Sequence, residues 1–451
     1  MNRKRKLQII SLILVISMIF VATSVWAIDE NVDSVYYYIW FPEDLFQDEA
    51  FVMAMQEQLI AEYGEIFLNN LGTARANADR VNALFPRSRS DSRYIYEVVY
   101  PDFFGGMYIN NDGILVVNIV NSASRGLGSV LEYVSFRNVV ATNDIIIKHV
   151  NFSYNEIHNT KAALVDFFST QDSAIRDNNN IVAIATDEKY NSVVVYLEIY
   201  NEEEIALFEN TIFDSPIIIF RESGGPTEIG LRPQHEQLND TDFTEENLNM
   251  DEINTNMSTF NPGDHIPAMG GSIGYRALRW AGGIQHGFVT AGHVTSPGAN
   301  IPGIGAVSSW QFSGPLDAAF VVTNAGVNVT NNLTAWRAGW WIENHTLCTQ
   351  VLQTFVQGDI MGTIYNFGHP IFESGAIKHT NITSVARPHI TGLVQTYATM
   401  TFGGTSGAIV FQVLHPSWFW QTAGIHLGRT GGFQIFNRAD IINAAFGLSR
   451  W

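Results

Sequence analysis

Three short stretches toward the C-terminal end of this 451-residue chain hold the side chain types that hydrolysis by a serine nucleophile needs. Phe288-Val-Thr-Ala-Gly-His293-Val places a histidine after an apolar run and a small-residue turn. Pro315-Leu-Asp317-Ala-Ala-Phe-Val places an acid at the mouth of a second apolar run, and Phe402-Gly-Gly-Thr-Ser406-Gly-Ala-Ile-Val sets a serine among glycines. A serine hydroxyl is a weak nucleophile until a base takes its proton, and a neutral imidazole does so when a carboxylate orients its other nitrogen. The glycines answer a separate need. Backbone N–H groups of Gly404 and Ser406 that converge on a developing oxyanion require conformations that bulky residues resist. Taken singly, each stretch also reads as a turn, a strand cap or an ordinary loop; together, in the order His, Asp, Ser, they read as a triad. The competing template is the G-x-S-x-G elbow, which Gly404-Thr-Ser406-Gly-Ala408 nearly fits. That fold needs a strand-to-helix turn at the serine and places its acid and histidine later in the chain, whereas residues 402–411 here lead into another strand-like run.

The elements that must position these residues are short and bounded by turns. Gly287-Phe-Val-Thr, Ala318-Ala-Phe-Val-Val, Ala408-Ile-Val-Phe and Thr422-Ala-Gly-Ile lie between Gly, Asn and Pro, and helical periodicity is absent until residues 438–446. This predicts an all-β domain of two antiparallel barrels closed by a C-terminal helix. Upstream the texture is α+β. Met107–Ile119 and Ile181–Leu197 each read as two strands about a turn, each followed by a helix-like stretch and a β-branched run, at 145–150 and 217–220. A duplicated hairpin–helix–strand unit is expected, with Ser153-Tyr-Asn-Glu156 as a capping box opening a helix to about Phe168.

Charge divides the chain. Residues 28–265 carry 39 acidic and 13 basic side chains, whereas residues 266–451 carry 5 acidic and 8 basic. The total of −19 argues against a nucleic-acid partner, which would call for surplus Lys and Arg. The boundaries read as 1–27 signal peptide, 28–230 acidic α+β propeptide, 231–265 disordered linker and 266–451 β domain. The signal rests on the basic residues 3–6, the apolar run Leu7–Val25 and the small residues of Val25-Trp26-Ala27, and it implies a secreted, extracellular protein. A membrane enters only if that run stays uncut. Cys348 stands alone, which excludes an internal disulfide framework, a zinc ribbon and an iron–sulfur cluster. The pairs His379/His389 and His415/His426 lack metal-ligand spacing, so no metal or other cofactor is expected.

At these residues the sequence resembles the chymotrypsin-like serine proteases, in particular the secreted bacterial α-lytic protease and streptogrisin group. Gly287-Phe-Val-Thr-Ala-Gly-His293 resembles that group's histidine motif, Leu-Asp317-Ala-Ala-Phe-Val its aspartate and Gly-Gly-Thr-Ser406-Gly-Ala its serine loop. Residues 98–222 resemble the group's propeptide, which assists folding and then inhibits. The resemblance implies His293, Asp317 and Ser406 as catalytic residues, Gly404 and Ser406 as the oxyanion hole, and protein or peptide substrates besides the chain's own propeptide. Ala423-Gly-Ile-His426-Leu-Gly428, with Thr401 five residues before the serine, is similar to the glutamyl endopeptidase branch. It implies Thr401, His426 and Gly428 in substrate binding, with a P1 glutamate received by His426. Two departures matter. Thr405 replaces the usual acid before the serine, and residues 330–367 are hard to register. The alternatives are an active protease with an apolar P1 preference and an inactive surface-binding protein that kept the fold.

Overall fold

The computed structural model describes residues 59–450, apart from 90–95, most of 122–143, 171–179, 226–227, 230–258, 338–339, 347, 367–369, 386–388, 398–404, 414–420 and 431. The expected signal peptide, most of the expected linker, and Thr401 and Gly404 lie outside the described residues. Among the described residues, no helix is long and apolar enough to cross a membrane.

The acidic part begins with helix α1 (Glu65–Ala83), whose Leu68, Leu71, Ala74, Ala78 and Val81 recur at helical spacing and are buried. Two copies of one motif follow. Strands β1 (Phe104–Ile109) and β2 (Leu115–Val120) pair antiparallel, and β3 (Ile145–Val150) joins β2 in parallel. After helix α2 (Tyr154–Thr170), β4 (Ile181–Asp187) and β5 (Ser192–Leu197) repeat the antiparallel pair, and after α3 (Glu202–Thr211), β6 (Ile218–Glu222) joins β5 in parallel. The hairpin turn between β1 and β2 depends on glycine. Gly113 has φ +75°, and a Cβ there would overlap the Phe67 carbonyl. The capping box forms as expected: Ser153 N–H donates to Glu156 Oε2 at 2.8 Å, and Glu156 N–H donates to Ser153 Oγ at 3.2 Å.

After β6, the short strand β7 (Glu228–Ile229) is the last described element of the acidic part. The β domain then starts with β8 (Thr259–Phe260), which pairs in parallel with Asn328–Val329. Residues 259–265 were expected to be linker. They belong instead to the β domain, because Phe260 packs on an apolar cluster containing Ile266, Phe288 and Val321. Strands β9 (Tyr275–Trp280), β10 (Ile284–Thr290), β11 (Asn300–Ile301), β12 (Gly305–Ser313) and β13 (Leu316–Thr323) form a sheet in the order β11-β12-β13-β10-β9. Strands β14 (Ile360–Asn366), β15 (Pro370–Ser384), β16 (Ile390–Thr396), β17 (Ile409–Gln412), β18 (Gln421–Thr430) and β19 (Phe433–Arg438) pair in the cyclic order β14-β17-β18-β19-β16-β15, returning to β14. The second barrel therefore closes on itself, while the first is described as a sheet. Helix α4 (Ala439–Phe446) ends on Gly447 in the left-handed conformation, and the chain finishes with β20 (Leu448–Ser449) on the free edge of β9.

The two parts share one sheet. β4 pairs antiparallel with the end of β15, Ala183 opposite Ser384 and Ala185 opposite Ile382. Side chains of the acidic part meet the β domain through buried polar groups. Arg75 Nε donates to Asp359 Oδ1 at 2.7 Å, and Lys161 Nζ donates to Asn381 Oδ1 at 2.8 Å and Thr383 Oγ1 at 2.9 Å. Tyr196 Oη meets His379 Nε2 at 2.7 Å, and Thr380 Oγ1 donates to Glu188 Oε1 at 2.8 Å. β7 adds to the outer end of β18, with Ile229 opposite Gly428 and Glu228 opposite Arg429.

Candidate active site

The register of β10 on β13 sets the first two members of the site. Thr290 lies opposite Ala319, so the turn that follows β10 and carries His293 stands level with Asp317 at the start of β13. Asp317 then holds the histidine twice. Oδ1 accepts the His293 backbone N–H at 2.9 Å, and Oδ2 meets Nδ1 at 2.5 Å. A carboxylate can only accept here, so Nδ1 carries a proton, which in the neutral tautomer puts the lone pair on Nε2. The two side chains are 5% and 0% exposed, which shields their interaction from water and strengthens it. Gly292 makes this approach possible, since a Cβ on it would overlap the Gln311 carbonyl and lie 3.0 Å from Asp317 Oδ1.

Asp317 is itself fixed from behind. Its N–H donates to Asn437 Oδ1 at 2.7 Å, and Asn437 Nδ2 donates to the Pro315 carbonyl at 3.3 Å. Trp310 Nε1 donates to the Gly292 carbonyl at 2.8 Å on the other side of the turn. Asn437 was not anticipated. It lies in Phe433-Gln-Ile-Phe-Asn-Arg, and the available signal was a polar side chain alternating with apolar ones in a strand, where a buried amide must find partners.

Ser406 sits on the loop entering β17. The Ser406 carbonyl accepts from Ser272 N–H at 2.8 Å, Gly407 N–H donates to the His426 carbonyl at 2.8 Å, and His426 N–H donates to the Ala408 carbonyl at 2.8 Å. Gly407 has φ +90°, and a Cβ there would overlap Thr290 Oγ1 and lie 3.0 Å from Ala291 N. The serine loop is thus packed against the turn that presents His293, and glycine is what lets the two backbones approach. Ser406 Oγ donates to the Leu427 carbonyl at 3.2 Å, while the buried His293 Nε2 makes no hydrogen bond. Ser406 and His293 are thus not hydrogen-bonded to each other in this arrangement. Thr405, just before Ser406, is buried.

His426 lies on β18 beside the serine loop and is buried. Its Nε2 meets Gln434 Oε1 at 2.6 Å, which makes Nε2 the protonated nitrogen, and Nδ1 has no hydrogen-bond partner. Burial pushes the imidazole pKa down to about 4, with the Gln434 bond opposing. The imidazole is therefore neutral here, because burial disfavours its charged form more than the Gln434 bond supports it. Gly428, next but one along β18, pairs with Ile229 of the acidic part. Thr401 and Gly404, the other predicted participants, lie outside the described residues.

With this geometry described, the chain can be compared with known proteins. Residues 46–144 match a family described as the Pro-like N-terminal domain, and residues 155–223 match the Pro-like C-terminal domain. No curated protein matches the chain. Among solved structures, protease A of Thermobifida fusca is 25% identical over 43% of this chain and 98% of its own, with a TM-score of 0.35. The Nocardiopsis protease is 23% identical over 43% and 99%, also at 0.35. A glutamic acid specific serine protease, described as using a novel histidine triad in substrate binding, is 20% identical over 42% and 100%, at 0.34. Fold and comparisons together define a class: Pro-like N- and C-terminal domains stand ahead of an all-β domain with a closed six-stranded barrel.

Proposed function

We propose that the chain is a secreted serine endopeptidase made as a zymogen, with Ser406 as nucleophile, His293 as general base and Asp317 as the acid that orients it. The observation that carries this reading is the pair of hydrogen bonds by which His293, at its backbone N–H and ring Nδ1, meets Asp317 beside the serine loop. Held with Nδ1 protonated, His293 presents a lone pair at Nε2 to the serine proton as Oγ attacks a peptide carbonyl. Asp317 stabilises the resulting imidazolium, which then returns the proton to the leaving amine. N–H groups of Gly404 and Ser406 receive the oxyanion. Residues 28–230 act as the propeptide, and a signal at residues 1–27 directs export.

In the same reading β7 belongs to the propeptide: it pairs with β18 at Gly428 and Arg429, next to Leu427, whose carbonyl accepts from Ser406 Oγ, and it is expected to leave once the linker is cut. A glutamate at P1 remains our choice of substrate. His426 stands next to the nucleophile loop, and an arriving carboxylate raises the pKa of the buried imidazole, so that the protonated ring can donate to it from Nδ1. The test is labelling of the processed protein with an organophosphonate, followed by hydrolysis of peptides differing only in P1 Glu, Gln, Phe or Ala. Labelling should vanish in Ser406→Ala. Labelling that survives this substitution removes the triad, and a preference for Phe or Ala over Glu replaces the acidic pocket with an apolar one.

A further inference from the structure

The turn that carries His293 needs support from outside itself. Gly292 is required there by the Gln311 carbonyl, which a Cβ would overlap, and the same missing side chain lets the peptide unit between Gly292 and His293 rotate at low cost. Rotation would carry the His293 N–H away from Asp317 Oδ1, the acceptor it meets at 2.9 Å. Trp310 opposes that rotation from the far side. Its Nε1 donates to the Gly292 carbonyl at 2.8 Å, so one peptide unit is held at both ends, its oxygen by the indole and its N–H by the carboxylate. Hydrogen bonds linked in this way through a peptide polarise and strengthen one another.

A β-bulge in β12 aims Trp310 at this carbonyl. Val307 pairs with Val321 and Ser309 with Phe320, so Ser308 is an extra residue in β12. Without it, strict alternation would put Val307 and Trp310 on opposite faces. With it, Trp310 pairs with Ala319 and shares the face of Val307 and Val321, packed on the apolar cluster these residues form with Phe288. Arg279 pins the bulge, donating from Nη1 to Ser309 Oγ at 2.6 Å and from Nη2 to Ser308 Oγ. The Trp310 ring meets Phe312 edge-on with centroids 6.4 Å apart, and Phe312 in turn lies 5.9 Å from the His293 ring.

We infer that Trp310 is a positioning residue for His293 and Asp317: its indole N–H fixes the peptide between Gly292 and His293, and so keeps the His293 N–H on the orienting carboxylate. The consequence for hydrolysis rests on the protease reading, whereas the fixing of the peptide does not.

Two measurements test it. Replacing Trp310 by 3-benzothienylalanine keeps the bicyclic shape and puts sulfur where the N–H was, which removes the donor alone; Trp310→Phe removes the donor and some volume. In the full chain carrying Ser406→Ala, hydrogen exchange of the His293 amide should rise on the order of tenfold in both, about what one lost hydrogen bond is worth, while the amides of β10 and β13 keep their rates in the benzothienyl variant. A His293 amide that exchanges like the parent's overturns the inference. Acceleration spread equally over β10 and β13 in the benzothienyl variant also overturns it, since Trp310 would then only support packing. In the second arm, enzyme processed from the full chain should lose kcat on the order of tenfold in both variants with KM little changed, because Trp310 reaches the reacting groups only through that peptide. Unchanged kcat, or a rise in KM alone, overturns the positioning role. A parent enzyme that hydrolyses no peptide overturns the protease reading instead, and the exchange measurement still decides whether Trp310 holds the peptide.

Discussion

At the residue scale, the site depends on a few groups that satisfy one another without water. Asn437 is the most exacting, because it takes the Asp317 N–H and gives its own amide hydrogen to Pro315. Asn437→Leu leaves a buried N–H unsatisfied, and unfolding measurements should show a loss of about 1–3 kcal/mol. A purely structural role would stop there. If Asn437 also positions Asp317 for the proposed hydrolysis, kcat should fall with KM little changed, since Asn437 is fully buried behind Asp317. Asn437→Asp, which keeps an acceptor for the N–H, should recover more activity than stability because it also buries a new charge beside Asp317. Gly407 shows the other kind of dependence. Its positive φ and its contact with Thr290 are needs of the backbone, and they are met only by the absence of a side chain.

At the element scale, the acidic part is tied to the β domain by helix α1 and by strands β4 and β7. The anchor of α1 is Arg75, buried against Asp359, whose Oδ1 also accepts from Ile360 N–H at 2.7 Å and whose Oδ2 accepts from Gln412 Nε2 at 2.6 Å. Arg75→Ala strands a buried carboxylate, and denaturant unfolding of the uncut chain should show a loss of about 3–5 kcal/mol. Joint replacement by Met and Leu should cost much less, because no charge is then left unpaired. The duplicated hairpin and the capping box were legible from residue order, since both depend on contacts only a few positions apart. The addition of β4 to β15 was not, because it joins positions some two hundred apart, Ala183-Ile-Ala and Ile382-Thr-Ser, and neither stretch specifies a strand partner.

For the whole molecule, several ionisable groups are buried where the acidic part and the β domain meet, and they set how stability responds to acid. Burial pushes His158 and His379 down to about 3, and raises Glu188 and Glu373 to about 7. Between about pH 6.5 and 4.5 the unfolded chain gains protons on the histidines while the folded chain gains them on these carboxyls, and the two effects oppose. Below about pH 4 the carboxyls are protonated in both states, so only the histidines still favour unfolding. Each contributes about 1.4 kcal/mol per pH unit until pH 3. Thermal unfolding of the Ser406→Ala chain should therefore show its melting temperature dropping fastest between about pH 4 and pH 3. Replacing both His158 and His379 by Gln should flatten that drop; an unchanged slope would place the acid sensitivity elsewhere.

Residue order alone brought forward the chemistry proposed for this protein. His293, Asp317 and Ser406 are each embedded in a short motif whose small and glycine residues are required by the backbone itself, so the motif and its local conformation are written together. The all-β texture and the repeated α+β unit were equally local. What tertiary structure decided was every relation between distant strands: that Asn437 backs Asp317, that Gln434 rather than a second charge receives His426, that residues 259–265 belong to the β domain, and that Glu228 faces Arg429. These follow from register, and register is chosen by the summed burial of whole strands. No short window of sequence contains that sum.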